Sequence, residues 1–282
     1  MPPAEGRIGG VDDLGGPQEW FNSLPVVTKF WFGSTFALTL AVNFGVFSLY
    51  HVAWVWESFK SNFEIWRVVS SFCYMGKFDM STLFGLYMLV NFSKQYEAGG
   101  PYNTGGGGGT ADFVFCFALG CLGCLITYPF LAGVIAPLFA KNMTFYILYI
   151  WSKQNPNKPA NIWGFPLKAQ FLPFAYLAIT VLMGGPYWDI VHGIGLGHLY
   201  YFTVDVVPLM YAKDVIHTPQ FLIDYFGVGQ YVPPVAANPR QQGFGNNTFN
   251  APGRVNPPSD PAERSGSTGY NWGRGGQTLG NS

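Results

Sequence analysis

Two histidines six residues apart, His192 and His198, lie in a nearly uncharged stretch from Tyr187 to Met210 that also carries Gly193, Gly195 and Gly197. An imidazole takes up a proton near neutral pH, so the first chemistry to weigh is hydrolysis by a base-activated nucleophile. That reaction needs a serine beside the base, in a Gly-x-Ser-Gly setting that exposes its hydroxyl and supplies oxyanion donors. No Gly-x-Ser-Gly occurs in the sequence. The nearest hydroxyl candidate, Thr144 in Ala140-Lys-Asn-Met-Thr144, has no adjacent glycine. Residues six apart do not share a helix face, so the two histidines are expected to make separate polar contacts between helices rather than one catalytic or metal site. The glycines carry a different implication. Each costs roughly 1 kcal/mol against alanine in a helix interior, and Gly193-x-x-x-Gly197 would offset that by letting a second helix approach closely in lipid.

Three further constellations could do chemistry. Trp66-Arg67 sits in a mixed aromatic and charged stretch. Its guanidinium can donate several hydrogen bonds to backbone carbonyls while the indole rests at headgroup level, which reads either as a pin for the loop or as an ordinary interfacial anchor. Near the end of the chain, after a long polar stretch, Trp272, Gly273, Gly275 and Leu279 restore apolar anchors in a glycine-rich frame of the kind a folded partner can capture. Cys121-Leu-Gly-Cys124 has C-x-x-C spacing, but its flanks are continuous apolar sequence, so packing cysteines are expected. The run Gly105 to Gly109 lacks the Gly-Lys-Ser/Thr ending of a phosphate loop. Nothing asks for a cofactor or a metal.

The elements that must position these residues are membrane helices. Hydrophobic residues are 49% of the chain and charged residues only 11%, less than half the share in a soluble domain, so a water-facing surface could not be covered. With 15 basic and 15 acidic residues, the charge balance gives no reason to expect nucleic acid as a partner. Six spans are read at about residues 26–50, 78–96, 112–131, 138–152, 169–183 and 187–210, with residues 51–77 lying flat in the interface. The second and fourth spans look short. Residues 1–25 contain no apolar core, so the first span is expected to act as the targeting signal. The resulting organisation is an amino-terminal segment at 1–25, a membrane domain at 26–210 and a mostly disordered tail at 211–282.

Six spans put both termini on one side. Arg7, Lys29, Lys94, Lys153, Lys158, Lys168 and Lys213 fall on that side, against Lys60, Arg67, Lys77 and Lys141 opposite, which favours cytosolic termini.

Several stretches together resemble the derlins, rhomboid-related pseudoproteases of the endoplasmic reticulum: Ile65-Trp66-Arg67, Leu148-Tyr-Ile-Trp-Ser152 with Asn155-Pro156, Gly197-His-Leu-Tyr-Tyr-Phe202 with Asp205 and Pro208, and Thr218-Pro-Gln-Phe-Leu222. The similarity covers about residues 18–225 and the last dozen. It implies an all-α membrane protein with six transmembrane helices in a rhomboid-like fold and an interfacial first loop. In that fold Trp66 and Arg67 belong to a first-loop signature, and Gly193 and Gly197 to a sixth-helix signature. It further implies a non-catalytic part in retrotranslocation of misfolded proteins beside a membrane ubiquitin ligase, with possible homo-oligomers. Trp272, Gly273, Gly275 and Leu279 would form a box that recruits the AAA ATPase valosin-containing protein, although Gly276, Gln277 and Thr278 stand where that box usually carries an apolar residue. The competing classes are an intramembrane serine protease and a six-span transporter. The transporter reading suffers from the lack of an internal repeat.

Overall fold

The polypeptide Val26 to Asn43 forms a helix of 18 residues whose end is set by glycine geometry. Gly45 takes a positive φ of 78°, and the amides of Gly45 and Val46 turn back to the carbonyls of Val42 and Ala41. The helix therefore stops at Asn43, short of Tyr50, where the run of apolar residues places the end of the first expected span. A computed structural model describes residues 16–100, 109–162, 165–211 and 216–226.

In chain order the helices begin with α1 (Pro17–Asn22) and α2 (Val26–Asn43). The first loop then holds three short helices, α3 (Leu49–Val52), α4 (Trp56–Asn62) and α5 (Trp66–Ser70). Next come α6 (Met80–Gly99), α7 (Gly109–Leu131) and α8 (Ala140–Gln154). Strands β1 (Pro159–Ile162) and β2 (Phe165–Lys168) pair antiparallel, with Pro159 opposite Lys168 and Ile162 opposite Phe165. This hairpin is an exception to the all-α expectation. It falls in the polar connection, where two strands of four residues satisfy each other's backbone. A 3₁₀ turn (Ala169–Phe171) leads into α9 (Leu172–Leu182). The chain continues through α10 (Trp188–Tyr201), a π-turn at Phe202–Val206 and α11 (Val207–Tyr211), and the last described element is α12 (Gln220–Phe226).

Among the described residues, Gly109–Leu131 and the continuous Trp188–Tyr211 are long and apolar enough to cross a membrane. The other expected spans differ from the sequence reading in length. The second expected span is a helix of 20 residues, not a short one, because Asp79 caps α6 by accepting from the Thr82 amide (2.7 Å) and the helix runs on through polar residues to Gly99. The fourth, α8, is 15 residues long and buried over nearly its whole circumference, from Asn142 through Ser152. It is the axle of the fold: an unbroken apolar and aromatic run from Phe145 to Trp151 faces neighbours all round, and the buried polar Asn142, Thr144 and Ser152 each make a hydrogen bond.

Two further corrections concern the loop and the tail. The stretch Phe72–Met75 does not lie flat in the interface; all four residues are buried. Their backbone leaves the last turn of α5 without forming a further helix, and side chains of α2 serve it. The Trp31 indole donates to the Phe72 carbonyl (3.1 Å), Thr39 Oγ1 accepts from the Met75 amide (3.2 Å), and Asn43 bonds the Gly76 carbonyl and the Phe78 amide. Non-helical backbone persists beside apolar helices only when protein satisfies it in this way. At the other end of the sequence, residues 216–226 belong to the folded body rather than to the tail. Thr218 and Ile223 are buried, α12 packs on α7, and Thr218 Oγ1 donates to Asp112 (3.4 Å).

Candidate functional site

Among the described residues the most extensive helix-to-helix seam is that between α10 and α8, and it is close because two positions have no side chain. A Cβ on Gly193 would sit 2.3 Å from the carbonyl oxygen of Asn142, and one on Gly197 would sit 3.0 Å from the carbonyl oxygen of Tyr146. Gly195, on the opposite face, has nothing within 4 Å. The spacing of four thus brings one face of α10 onto the α8 backbone at two successive turns, while the central glycine takes no part.

His192 is enclosed in the same seam. Asn142 Nδ2 donates to its Nδ1 (2.9 Å), which leaves the proton on Nε2, facing Thr127 Oγ1 at 2.7 Å. Thr127 in turn donates to the Gly123 carbonyl four residues back (2.7 Å). The imidazole is the middle link of a chain from α8 through α10 to α7. His198 is exposed and separate, with Nδ1 2.8 Å from the Tyr149 hydroxyl. Thr144 is buried and its hydroxyl donates to the Ala140 carbonyl (2.9 Å), so it turns into its own helix. The structure does not bring His192, His198 and Thr144 together. Four residues beyond the last turn of α10, Asp205 accepts two hydrogen bonds from the Gln154 amide at the end of α8 (2.9 and 2.8 Å). The π-turn supplies the one-residue change of register in the helix there.

In the first loop Trp66 and Arg67 part company. The Trp66 side chain is exposed on the apolar outside, whereas Arg67 is only 1% exposed. Its guanidinium donates to the carbonyls of Tyr50 and Ala53, bonds Glu64 and lies over the Tyr50 ring. These carbonyls close the end of α3, so the arginine fastens α5 to α3 across a loop that has little other regular structure. Ser70 adds a bond to the Val52 carbonyl (2.9 Å).

A second buried charge escaped the sequence reading. Glu97, 3% exposed near the end of α6, accepts from the backbone amides of Val27 (3.1 Å) and Thr28 (2.9 Å) and from the Thr28 hydroxyl (2.8 Å). Pro25 stands at the N-cap of α2 and has no side-chain acceptor, so a carboxylate about seventy residues away does the capping. Thr110 Oγ1 also donates to it (3.2 Å), and Gly109 is pressed against it, since a Cβ there would meet the Glu97 carbonyl at 2.0 Å. Gly109, the last residue of the glycine run, therefore has a packing role. Gly105 to Gly108 lie outside the described residues, as do Trp272, Gly273, Gly275 and Leu279 of the terminal box.

The Der1-like family model matches residues 24–220. The chain is 31% identical over 235 residues to Derlin-1 of Arabidopsis thaliana, covering 82% of this chain and 85% of that protein. It is 30% identical over 239 residues to Derlin-2.1 of Zea mays and to Derlin-2 of Oryza sativa subsp. japonica, covering 81% of this chain and 92% of each. The chain belongs to the Der1-like, or derlin, family of membrane proteins.

Proposed function

We propose that this Der1-like protein is a six-span, non-catalytic component of endoplasmic-reticulum-associated degradation that assists the passage of misfolded proteins to the cytosol. Family membership over residues 24–220 is the observation that carries the reading. The site geometry supports its non-catalytic half: His192 has both ring nitrogens engaged, and the hydroxyl it meets, Thr127, is committed to a helix carbonyl. In this reading both termini are cytosolic, α2, α6, α7, α8, the Ala169–Leu182 segment and the Trp188–Tyr211 segment are the six spans, and the family's ubiquitin ligase stands alongside.

Polypeptide passage would be eased by local thinning of the bilayer. The lipid-facing short span is the Ala169–Leu182 segment, where Phe171, Phe174, Val181 and Leu182 are exposed. At about 1.5 Å per residue it reaches roughly 21 Å, well under the ~30 Å hydrocarbon core. The mismatch thins the surrounding lipid. Because α8 is enclosed, its own shortness is shielded from lipid.

The terminal segment Trp272, Gly273, Gly275 and Leu279 would recruit the valosin-containing AAA ATPase. The test is co-purification of that ATPase with the full chain, expected for the intact protein and lost in Leu279→Ala, alongside decay of a misfolded luminal protein in cells that depend on this chain. Normal decay in cells lacking the protein would sink the assignment, and failure of the intact chain to retain the ATPase would remove the partner.

A further inference from the structure

A cavity of about 470 Å³ opens between α6 and α9, with α8 as its floor, within the volume range of sites that hold small organic ligands. α6 and α9 meet at the Phe84–Tyr176 ring pair, centroids 5.5 Å apart. The lining combines Lys77, at the approach to α6, and Lys141, in the first turn of α8, with Met88, two turns further along α6, and Tyr176 in the middle of α9. From the start of α6 at Met80 to Met88 is eight residues, or about 12 Å of helix, close to the ~15 Å hydrocarbon depth of one leaflet.

The rim carries charges of both signs. Asp79 is also there, its carboxylate accepting from the Thr82 amide, and Asp189 acts on Lys141 through space. Among the described residues the ion pair within bonding distance is Arg67–Glu64, so the lysines face these carboxylates without a direct ion pair to either. Two ammonium groups, neither in a direct ion pair, border a slot lined by Phe84, Met88, Phe145 and Tyr176 together with threonine hydroxyls. Its lining includes the unbranched, adaptable Met88, which can fit a flexible chain.

We propose that this cavity binds a membrane phospholipid, with Lys77 and Lys141 holding the phosphodiester at the rim and one acyl chain lying between α6 and α9. The phosphate is the recognised group, and the slot accounts for the requirement for a chain. Binding here does not depend on the part assigned to the protein in degradation, and its readout is separate from that assignment.

The test is native mass spectrometry of the detergent-purified full chain titrated with phosphatidylglycerol, phosphatidylcholine and diacylglycerol of identical acyl composition. Both phospholipids should be retained, phosphatidylglycerol more strongly, and diacylglycerol should be weaker by about tenfold or more, since each lysine near a headgroup contributes a measurable share of binding. Lys77→Gln/Lys141→Gln should bring the phospholipids down to the diacylglycerol level while the thermal midpoint stays put. Ser81→Trp, which fills the rim without changing charge, should weaken all three lipids. Equal retention of diacylglycerol, or undiminished phospholipid binding by the double variant, would overturn the proposal. Displacement of the lipid by millimolar inorganic phosphate would show a site for the free ion and overturn it as well.

Discussion

Arg67 and Glu97 fasten helix ends with opposite charges. The arginine donates to the carbonyls that close α3, and the glutamate accepts from the amides that open α2. Both are buried, both act on backbone remote in sequence, and both serve helix ends whose own caps do not meet the need: α2 opens on Pro25, and α3 breaks at Ala53. They differ in redundancy. Around Arg67 one planar group reaches three partners from a single side chain. Around Glu97 the carboxylate is shared among Val27, Thr28 and Thr110, and Gly109 packs behind it. The comparison teaches that a polar anchor beside apolar helices is made by satisfying backbone, and that the acid is backed by close backbone packing at Gly109 while the base is backed by the Tyr50 ring.

The contrast can be broken most sharply at the arginine. Arg67→Ala leaves two carbonyls and Glu64 without their donor, and should lower stability by roughly 3–5 kcal/mol, read as a fall in thermal midpoint in detergent. Arg67→Lys should recover only part of this, because a point charge cannot reproduce the fork. An unchanged midpoint for Arg67→Ala would show that the loop is held elsewhere.

The next effect is expected behind the acid. Gly109→Ala forces a methyl group into the Glu97 carbonyl and should cost about 1–3 kcal/mol by overpacking, with hydrogen exchange of the Val27 and Thr28 amides speeding up. Glu97→Gln keeps one acceptor oxygen in place and should cost about 1–1.5 kcal/mol, less than the arginine change. If Glu97→Gln proved as damaging as Arg67→Ala, the claimed redundancy around the acid would be wrong.

The smallest change calibrates the scale with no charge involved. Gly195→Ala enters open space on a helix and should raise stability by up to about 1 kcal/mol, whereas Gly193→Ala meets the Asn142 carbonyl and should lower it. Equal effects of the two alanines on the thermal midpoint would contradict the one-sided seam.

The arginine was visible in the sequence because Trp66-Arg67 is a rare cation in an aromatic setting. The glycine seam was visible because spacing of four on a helix defines a face. Glu97 was hidden: it reads as an ordinary polar residue at the end of a span, and only the fold carries it to Val27. The buried strap Phe72–Met75 was hidden for a related reason. Its apolar side chains look interfacial, and the residues that receive it, Trp31, Thr39 and Asn43, are scattered along a helix whose polar positions pass for solvent contacts. The docking of α12 was missed because Thr218 carries no signal of a partner on α7.

The π-turn at Phe202–Val206 bears on what a change of length would do to this helix. A turn with one residue more than an α-helical turn shifts the face beyond it, and the surplus residue leaves Asp205 on Gln154 after Gly193 and Gly197 have met α8. A single-residue deletion there would restore uniform winding and swing everything beyond it by about a quarter turn, so that Asp205 would lose Gln154 although no side chain had been replaced. The length of this segment, as much as its composition, therefore decides where Asp205 falls.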